Sequence, residues 1–428
     1  MGTGNAEEPR AAPDAATELL LRFARAGHDA GYPTADLEEQ VLALAGAFGL
    51  GDVEVSATPT LVEVSLGSLP RQRTYTLRVR PTAVDLDAIA RLDDLVQDAL
   101  EGQLNADGAL VALGHVRDNP LRRPRPLVLA AYAVAGSALT PVLGGGWREA
   151  VAAALVGLVV GAIAISTSRT ARTEPMVAPI AAVAASFCAA LLVRLGLDAS
   201  ADVITLAALV TLLPGMTLTI GMRELATEHL QSGVANTASA LVQLFGLAFG
   251  VAVGHSVASN WFGEVSGPAP SPAWLGLRLA AACLAALAFT VTLRARSTDA
   301  LVMGAAACHA VAGDEVGGRL FGDEAAVFVA AVAVGVTGGL VGIWLGRSAL
   351  VFVVPGVLML VPGSAGFNSV LQLLSDQTVS GITAGFDTFV TAMSIAYGLM
   401  ASTVLLPRRL RTVVPRPVRA RARRGSSS

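Results

Sequence analysis

Charge is what this chain has least of: 15% of its 428 residues are Asp, Glu, Lys or Arg, while 53% are hydrophobic. Soluble domains carry about a quarter charged residues, so the composition excludes an ordinary soluble protein and indicates one that lives in a membrane. Lysine is absent, and all 30 basic residues are arginine, a bias we ascribe to base composition and not to mechanism. Cysteine is scarce. Cys188, Cys283 and Cys308 stand singly in apolar stretches, without the CxxC or Cys/His spacing of a metal site, and read as small buried side chains. No HExxH, GxSxG, GxGxxG or GxxxxGK motif occurs, and the five His are scattered. The recognised hydrolase and nucleotide-binding constellations are therefore missing, and ATP-driven transport within the chain is excluded with them. Neither a cofactor nor a metal nor a nucleic-acid partner is expected. Residues 1–10 include Glu7 and Glu8 and no long apolar run, so no cleavable signal peptide is expected.

Up to Asn119 no apolar run reaches the roughly 20 residues that cross a bilayer as a helix. After a disordered stretch 1–13, residues 14–119 read as a cytoplasmic α+β domain. Helical spacing runs over 15–30 and over 34–48, the latter with Thr34 as N-cap and Asp36, Glu38 and Glu39 in its first turns. Three alternating segments, VEVS at 53–56, LVEVSL at 61–66 and YTLRVR at 75–80, predict a small antiparallel sheet. Helical spacing returns over 84–100 and 105–116, with Asp85 and Asn105 as caps.

From residue 126 onward the hydropathy pattern gives ten spans: 127–143, 150–165, 175–193, 203–222, 234–258, 273–293, 299–312, 325–346, 348–367 and 379–406. The seventh is short. With both termini cytoplasmic, eighteen Arg fall on the cytoplasmic side, eight of them in the tail from Arg408 to Arg424. The other side holds Arg148, Arg194 and Arg319, as the positive-inside rule requires. The Arg-rich tail 407–428 suits an anionic leaflet, or serves only to fix topology.

Two of these spans carry helix breakers in mid-run, LLPGMTLTI at 212–220 and LVPGS at 360–364. An offset of 148 residues lays Pro214-Gly215 on Pro362-Gly363, Leu225 on Leu373, Ser232-Gly233 on Ser380-Gly381, Ala248 on Ala396 and Gly250 on Gly398. The offset maps the first five spans onto the last five, so 126–258 and 273–406 are two copies of one unit. Because five is odd, the copies are inverted. The expected fold class is an α-helical integral membrane protein, ten transmembrane helices as two inverted five-helix repeats with an N-terminal α+β cytoplasmic domain. Inverted repeats with matching broken helices mark secondary transporters, with the solute held near the midplane. A Pro without an N–H and a Gly with free dihedrals release backbone groups that hydrocarbon cannot satisfy. Water and a zwitterionic solute can. The alternative is that each Pro-Gly only ends a span or kinks it for packing.

The first domain contains AGYPTADLEEQVLALAGAFGL at 30–50, SATPT at 56–60 and RVRPTAVDLDAIARLDDLVQDALEGQL at 78–104, and the membrane part contains LLPGMTLTIGMRELATEHLQSGVANTASAL at 212–241 and LVPGSAGFNSVLQLLSDQTVSGITAGFDTFV at 360–390. In these stretches the chain resembles the threonine/serine exporter family of bacteria and fungi. The resemblance implies a multi-pass exporter of threonine and serine in the cytoplasmic membrane of a bacterium, driven by the proton motive force. Its partners would be the amino acid, protons and membrane lipid, and a homo-oligomer is compatible with it.

Candidate site residues follow from the breaks. Pro214, Gly215 and Met216 with Thr217 and Thr219, and Pro362 and Gly363 with Ser364 and Asn368, offer backbone groups, hydroxyls and an amide to a small polar solute; Ser and Thr also serve simply to satisfy membrane helices. Asp387, an ionisable group within the last span, is the first candidate for proton coupling, unless that span starts later and leaves it at the interface. Arg223 and Glu224 are expected to pair or to gate the cytoplasmic mouth, and His309 to titrate in the working range. Two other readings stay open: an enzyme sited in the first domain, around His28, His115, Asp36, Glu38 and Glu39, and a regulatory or dimerising role for that domain. The acids are explained more simply by the helix dipole.

Overall fold

Sixteen α-helices and three strands form among the residues that the computed structural model describes: 14–80, 84–167, 173–263, 271, 273–345, 348–360, 362–374 and 377–406. The stretches 1–13 and 407–428, expected to be a disordered start and an Arg-rich tail, lie outside them. The chain divides into two units, Met1–Leu121 and Arg122–Ser428.

In the first unit the order is α1 (Ala15–Ala30), α2 (Thr34–Ala47), β1 (Val53–Thr58), β2 (Leu61–Leu66), β3 (Arg73–Arg78), α3 (Leu86–Leu100) and α4 (Ala106–Asp118). The strands pair antiparallel in sequence order, with Val55 opposite Val64 and Val64 opposite Tyr75. Alternation selects the buried face, where Val62 and Val64 meet a core that includes Leu19, Phe23, Leu37 and Ile89. Asp85 and Asn105 cap α3 and α4 by accepting from the amides of Ala88 at 3.0 Å and Gly108 at 2.8 Å. Thr34 is no cap. Pro33, at φ −55°, already stands in the cap position, and Thr34 is the first helical residue. Glu38, expected to serve only the helix dipole, accepts from the Ala57 amide on β1 at 2.8 Å.

Among the described residues the regular elements of the second unit are all helices: α5 (Arg125–Leu139), α6 (Trp147–Thr167), α7 (Val177–Arg194), α8 (Ala201–Leu209), α9 (Gly215–Ala226), α10 (Leu230–Phe262), α11 (Leu275–Thr292), α12 (Ala300–Phe321), α13 (Asp323–Leu345), α14 (Leu350–Leu360), α15 (Pro362–Leu374) and α16 (Thr378–Leu405). Seven spans among the described residues are long and apolar enough to cross a membrane, eight if the bent pair α8–α9 counts as one. Two of the ten expected spans miss that test. Helix α5 has 15 residues, about 22 Å of rise against a hydrocarbon core of about 30 Å. Helix α12 has 22 residues and is not the short segment expected at 299–312, but its last turns carry Asp314, Glu315 and Arg319. Those charges are matched by Arg278 of α11, a residue with no role in the sequence reading, whose guanidinium reaches Glu315 at 2.9 Å and Asp314 at 3.7 Å. The cysteines also differ from expectation. Cys283 is exposed and Cys188 and Cys308 are half-buried, as suits apolar thiols on helices that face hydrocarbon.

Helix boundaries repeat at the offset of 148. Helices α9 and α15 end at 226 and 374, and α10 and α16 begin at 230 and 378. Packing repeats with them: α5 on α6, α6 on α7, α7 on α10 and α9 on α10 recur as α11 on α12, α12 on α13, α13 on α16 and α15 on α16. A methyl placed on Gly233 would lie 2.7 Å from Leu225 Cγ and 2.8 Å from its amide nitrogen; on Gly381 the same atoms of Leu373 lie at 2.7 and 2.9 Å. Between the halves, α10 packs on α15 as α16 packs on α9. The counterparts α5 and α11 lie side by side and antiparallel. Arg123, before α5, donates to the Ala295 carbonyl after α11 at 2.5 Å, and the Ser271 amide, before α11, donates to the Gly144 carbonyl after α5 at 2.8 Å.

Candidate functional site

The first break is built by local chemistry. Helix α8 tightens into a 3-10 turn at Val210–Leu212, and Leu213 is extended at φ −69°, ψ 130°, the conformation that a following proline favours. Pro214 then starts α9, which leaves α8 at 58°. The chain is held on either side of the bend, by Leu213 N–H to the Val210 carbonyl at 3.3 Å and Leu218 N–H to the Pro214 carbonyl at 3.0 Å. The start of α8 is fixed by Glu149, buried, whose two carboxylate oxygens accept from the amides of Gly146 at 2.9 Å and Ser200 at 3.0 Å. With Pro214 unable to donate and the helix interrupted, the Leu212 carbonyl takes the side-chain amide of Gln243 on α10, Nε2 to O 2.7 Å.

The second break differs in shape. Leu350–Leu374 counts as one span of 25 residues, and 69% of its most apolar stretch is buried against 28–39% in the other unbent spans. It is the innermost of them. Val361 lies outside the described residues, as does the side chain of Pro362. A further Pro-Gly pair, Pro355-Gly356, sits inside α14 without ending it.

The two breaks meet at their glycines. A methyl built on Gly363 would lie 3.1 Å from the Cα and from the N of Gly215 and 3.3 Å from Leu213 Cβ; one built on Gly215 would lie 3.4 Å from the Gly363 nitrogen. Backbone therefore touches backbone here, an approach that is tight for a methyl at Gly363 and leaves ordinary contact distance for one at Gly215. Around the contact Pro214, Gly215 and Gly363 are buried, and Met216, Thr217 and Ser364 are half-buried. Thr219 is buried, and its hydroxyl donates to the carbonyl of Gly215 at 3.0 Å, so its donor is occupied by its own helix.

The remaining candidates lie elsewhere. Asn368 and Asp387 are exposed; Asp387 lies within α16, between Phe386 and Phe389, which are exposed as well. Among the candidates the buried carboxylate is that of Glu224, 2% exposed, whose Oε2 accepts from Asn236 Nδ2 on α10 at 2.7 Å. Arg223 lines an open cleft of about 490 Å³ with Thr227, Phe328, Tyr397, Met400 and Val404. His309 belongs to a third place, between α12, α13 and α14: its Nε2 is 3.2 Å from Thr337 Oγ1, and its ring stands 6.1 Å from that of Phe352. Gln243 and Asn236 escaped the sequence reading, although two amides seven residues apart in an apolar helix share one face.

In the first unit, burial lowers the His28 pKa below its ordinary value, opposed by Asp29. Burial and the neighbouring Asp93 raise Tyr32 well above its usual range; its hydroxyl donates to Asp93 and to the Ile89 carbonyl. His115 is exposed. No group of three or more His, Cys, Asp or Glu that could hold a metal occurs among the described residues.

The threonine/serine exporter family model matches residues 18–258, and a second model, described as "Threonine/Serine exporter, ThrE", matches residues 278–405. The chain is 27% identical over 414 residues to the "Probable threonine/serine exporter" of Mycobacterium tuberculosis, covering 91% of this chain and 76% of that protein. It is 25% identical over 395 residues to the "Threonine/serine exporter" of Corynebacterium glutamicum, covering 89% and 80%. It is also 25% identical over 392 residues to the "Pheromone-regulated membrane protein 10" of Saccharomyces cerevisiae, covering 88% of this chain and half of that protein. No solved structure matches.

Proposed function

The chain belongs to the threonine/serine exporter family, and on that premise we propose that it exports threonine and serine across the cytoplasmic membrane as a proton-driven secondary carrier, with the solute held where the two Pro-Gly breaks meet. The observation that carries this reading is the contact of Gly215 with Gly363, because matching breaks brought together are how such carriers build a site. The first amides of α9 lack partners within their helix and attract a carboxylate. The carbonyl end of α8, where Gln243 already holds the Leu212 carbonyl, would attract an ammonium. Thr217 and Ser364, half-buried beside the contact, would read the substrate hydroxyl, and a hydroxyl-reading site rejects an analogue that lacks it more strongly than an apolar pocket does.

The carrier has ten spans in two inverted repeats with both ends cytoplasmic. In support of this, α5 and α11, counterparts at the offset of 148, run antiparallel. A two-fold axis lying across the helices produces that arrangement, and one lying along them does not. In this reading α5 with its following turn and α12 are the two spans that fall short by length or charge.

The test is uptake of labelled threonine into everted vesicles, with and without a proton gradient. Gradient-driven uptake, competed by serine and not by valine, is expected. Uptake indifferent to the gradient would remove the coupling, and equal competition by valine would remove the hydroxyl-reading site.

A further inference from the structure

A carboxylate buried in an apolar bundle is costly, and such groups are retained for a structural need or for function. The repeat separates these two. At the offset of 148, Glu224 becomes Gln372 and its partner Asn236 becomes Ala384. The surroundings are otherwise the same: the Glu224 carbonyl accepts from His229 N–H at 2.9 Å, as the Gln372 carbonyl accepts from Gln377 N–H at 3.0 Å. Leu225 packs on Gly233 as Leu373 packs on Gly381. The second hairpin is thus built with neither the charge nor the amide that holds it. The fold does not require the Glu224–Asn236 pair.

We propose that Glu224 is the proton-coupling carboxylate of this carrier and Asn236 its positioning residue, the role that the sequence suggested for Asp387. The inference rests on the carrier reading above. Glu224 lies nine residues beyond Gly215 on the same helix, about 13 Å along its axis at 1.5 Å per residue. Protonation at this position therefore acts on α9, whose first turn meets α15 at the glycine contact. In each cycle the carboxylate takes one proton from the outer solution and releases it to the cytoplasm. Deprotonated, it is held by the Asn236 amide; protonated, it loses the charge that strengthens that bond, and α9 is freed to shift against α10. The helices packed on α9 are α10, α14, α15 and α16. Of these, α14 and α15 carry no titratable side chain, α10 carries His255, and α16 carries Asp387 and Tyr397; Arg223, Glu228 and His229 lie near Glu224 in sequence.

Purified protein in liposomes would be assayed for two activities: threonine exchange with no gradient, and threonine movement driven by a pH gradient. Glu224→Gln installs the residue that the second hairpin already accommodates. It is expected to keep exchange within about twofold while gradient-driven movement falls at least about tenfold. Asp387→Asn is expected to keep both. Asn236→Ala is expected to move the pH midpoint of driven transport upward, since the donor that favours the charged carboxylate is gone; a packing role alone would leave that midpoint in place. Gradient-driven accumulation by Glu224→Gln would overturn the assignment. Loss of its exchange at wild-type yield would also overturn it, because Glu224 would then belong to substrate passage and not to coupling. Absence of exchange in the unaltered protein is a separate failure, that of the carrier reading itself.

Discussion

At Pro214 the first half turns by 58°, whereas in the second half α14 and α15 count together as one span of 25 residues. The dipeptide is the same, so the dipeptide alone does not set the bend. Pro-Gly removes one donor and relaxes one residue; the partners found for the released groups decide the rest. In the first half Gln243 is in place to take the Leu212 carbonyl, and its counterpart at 391 is Thr, with a shorter reach. The span Leu350–Leu374 is also the more enclosed, and deep burial demands that backbone groups be satisfied within the protein. The asymmetry lies in the two hairpins: the first has Gln243 at its break and Glu224 held by Asn236, and the second has Thr391, Gln372 and Ala384 at the same positions.

The largest effect is expected where the halves are most alike. Gly233→Ala and Gly381→Ala each place a methyl within 2.9 Å of a backbone nitrogen, and overpacking of this kind costs about 2–3 kcal/mol. Thermal unfolding in detergent should show equal losses for the two variants. Unequal losses would break the equivalence of the hairpins. The next effect belongs to one half only. Gln243→Leu leaves the Leu212 carbonyl without its donor, at about 1–2 kcal/mol, while Thr391→Val in the second half should be close to neutral. A comparable cost for Thr391→Val would mean that the second break is capped in the same way.

A smaller pair of effects sharpens the contact itself. Gly363→Ala meets backbone atoms at 3.1 Å, whereas Gly215→Ala meets them at 3.4 Å, an ordinary contact distance. Gly363→Ala should therefore slow threonine transport severalfold, for about 1 kcal/mol of strain, and Gly215→Ala by less than half as much. The reverse order in a vesicle assay would contradict the geometry of the junction.

The helix boundaries that recur after 148 residues, the bend at Pro214 and the strands of the first unit could be read from the sequence because each is a pattern of period: a fixed offset, an interrupted apolar run, and alternation by two. What escaped depends on direction. Asp387 and Glu224 both sit in apolar helices, and only the packing shows that one side chain points outward and the other is 2% exposed. Gln243 and Asn236 are ordinary polar residues until the break and the carboxylate they serve are placed beside them. The count of ten spans goes beyond the length and hydropathy test at α5 and α12, where length and charge depart from a bilayer template although the helix itself forms. Thr34 was passed over as a cap because Pro33 had already fixed the entry.

The smallest effect is a pH dependence outside the membrane unit, and it must be removed before pH is used to compare the halves. Burial holds the His28 pKa below its ordinary value, so the unfolded chain takes up the proton first as pH falls. The stability gained by keeping the ring neutral is complete above about pH 6.5 and is lost progressively as pH drops through the folded value. The protection of the amides over Ala15–Ala30 in the full chain, taken relative to their intrinsic exchange rate at each pH, should fall between pH 7 and pH 5, and His28→Gln should flatten that change. An unchanged slope in His28→Gln would assign it to another group. If instead the slope disappears, the pH response that survives in His28→Gln and vanishes with Glu224→Gln belongs to the charged hairpin alone.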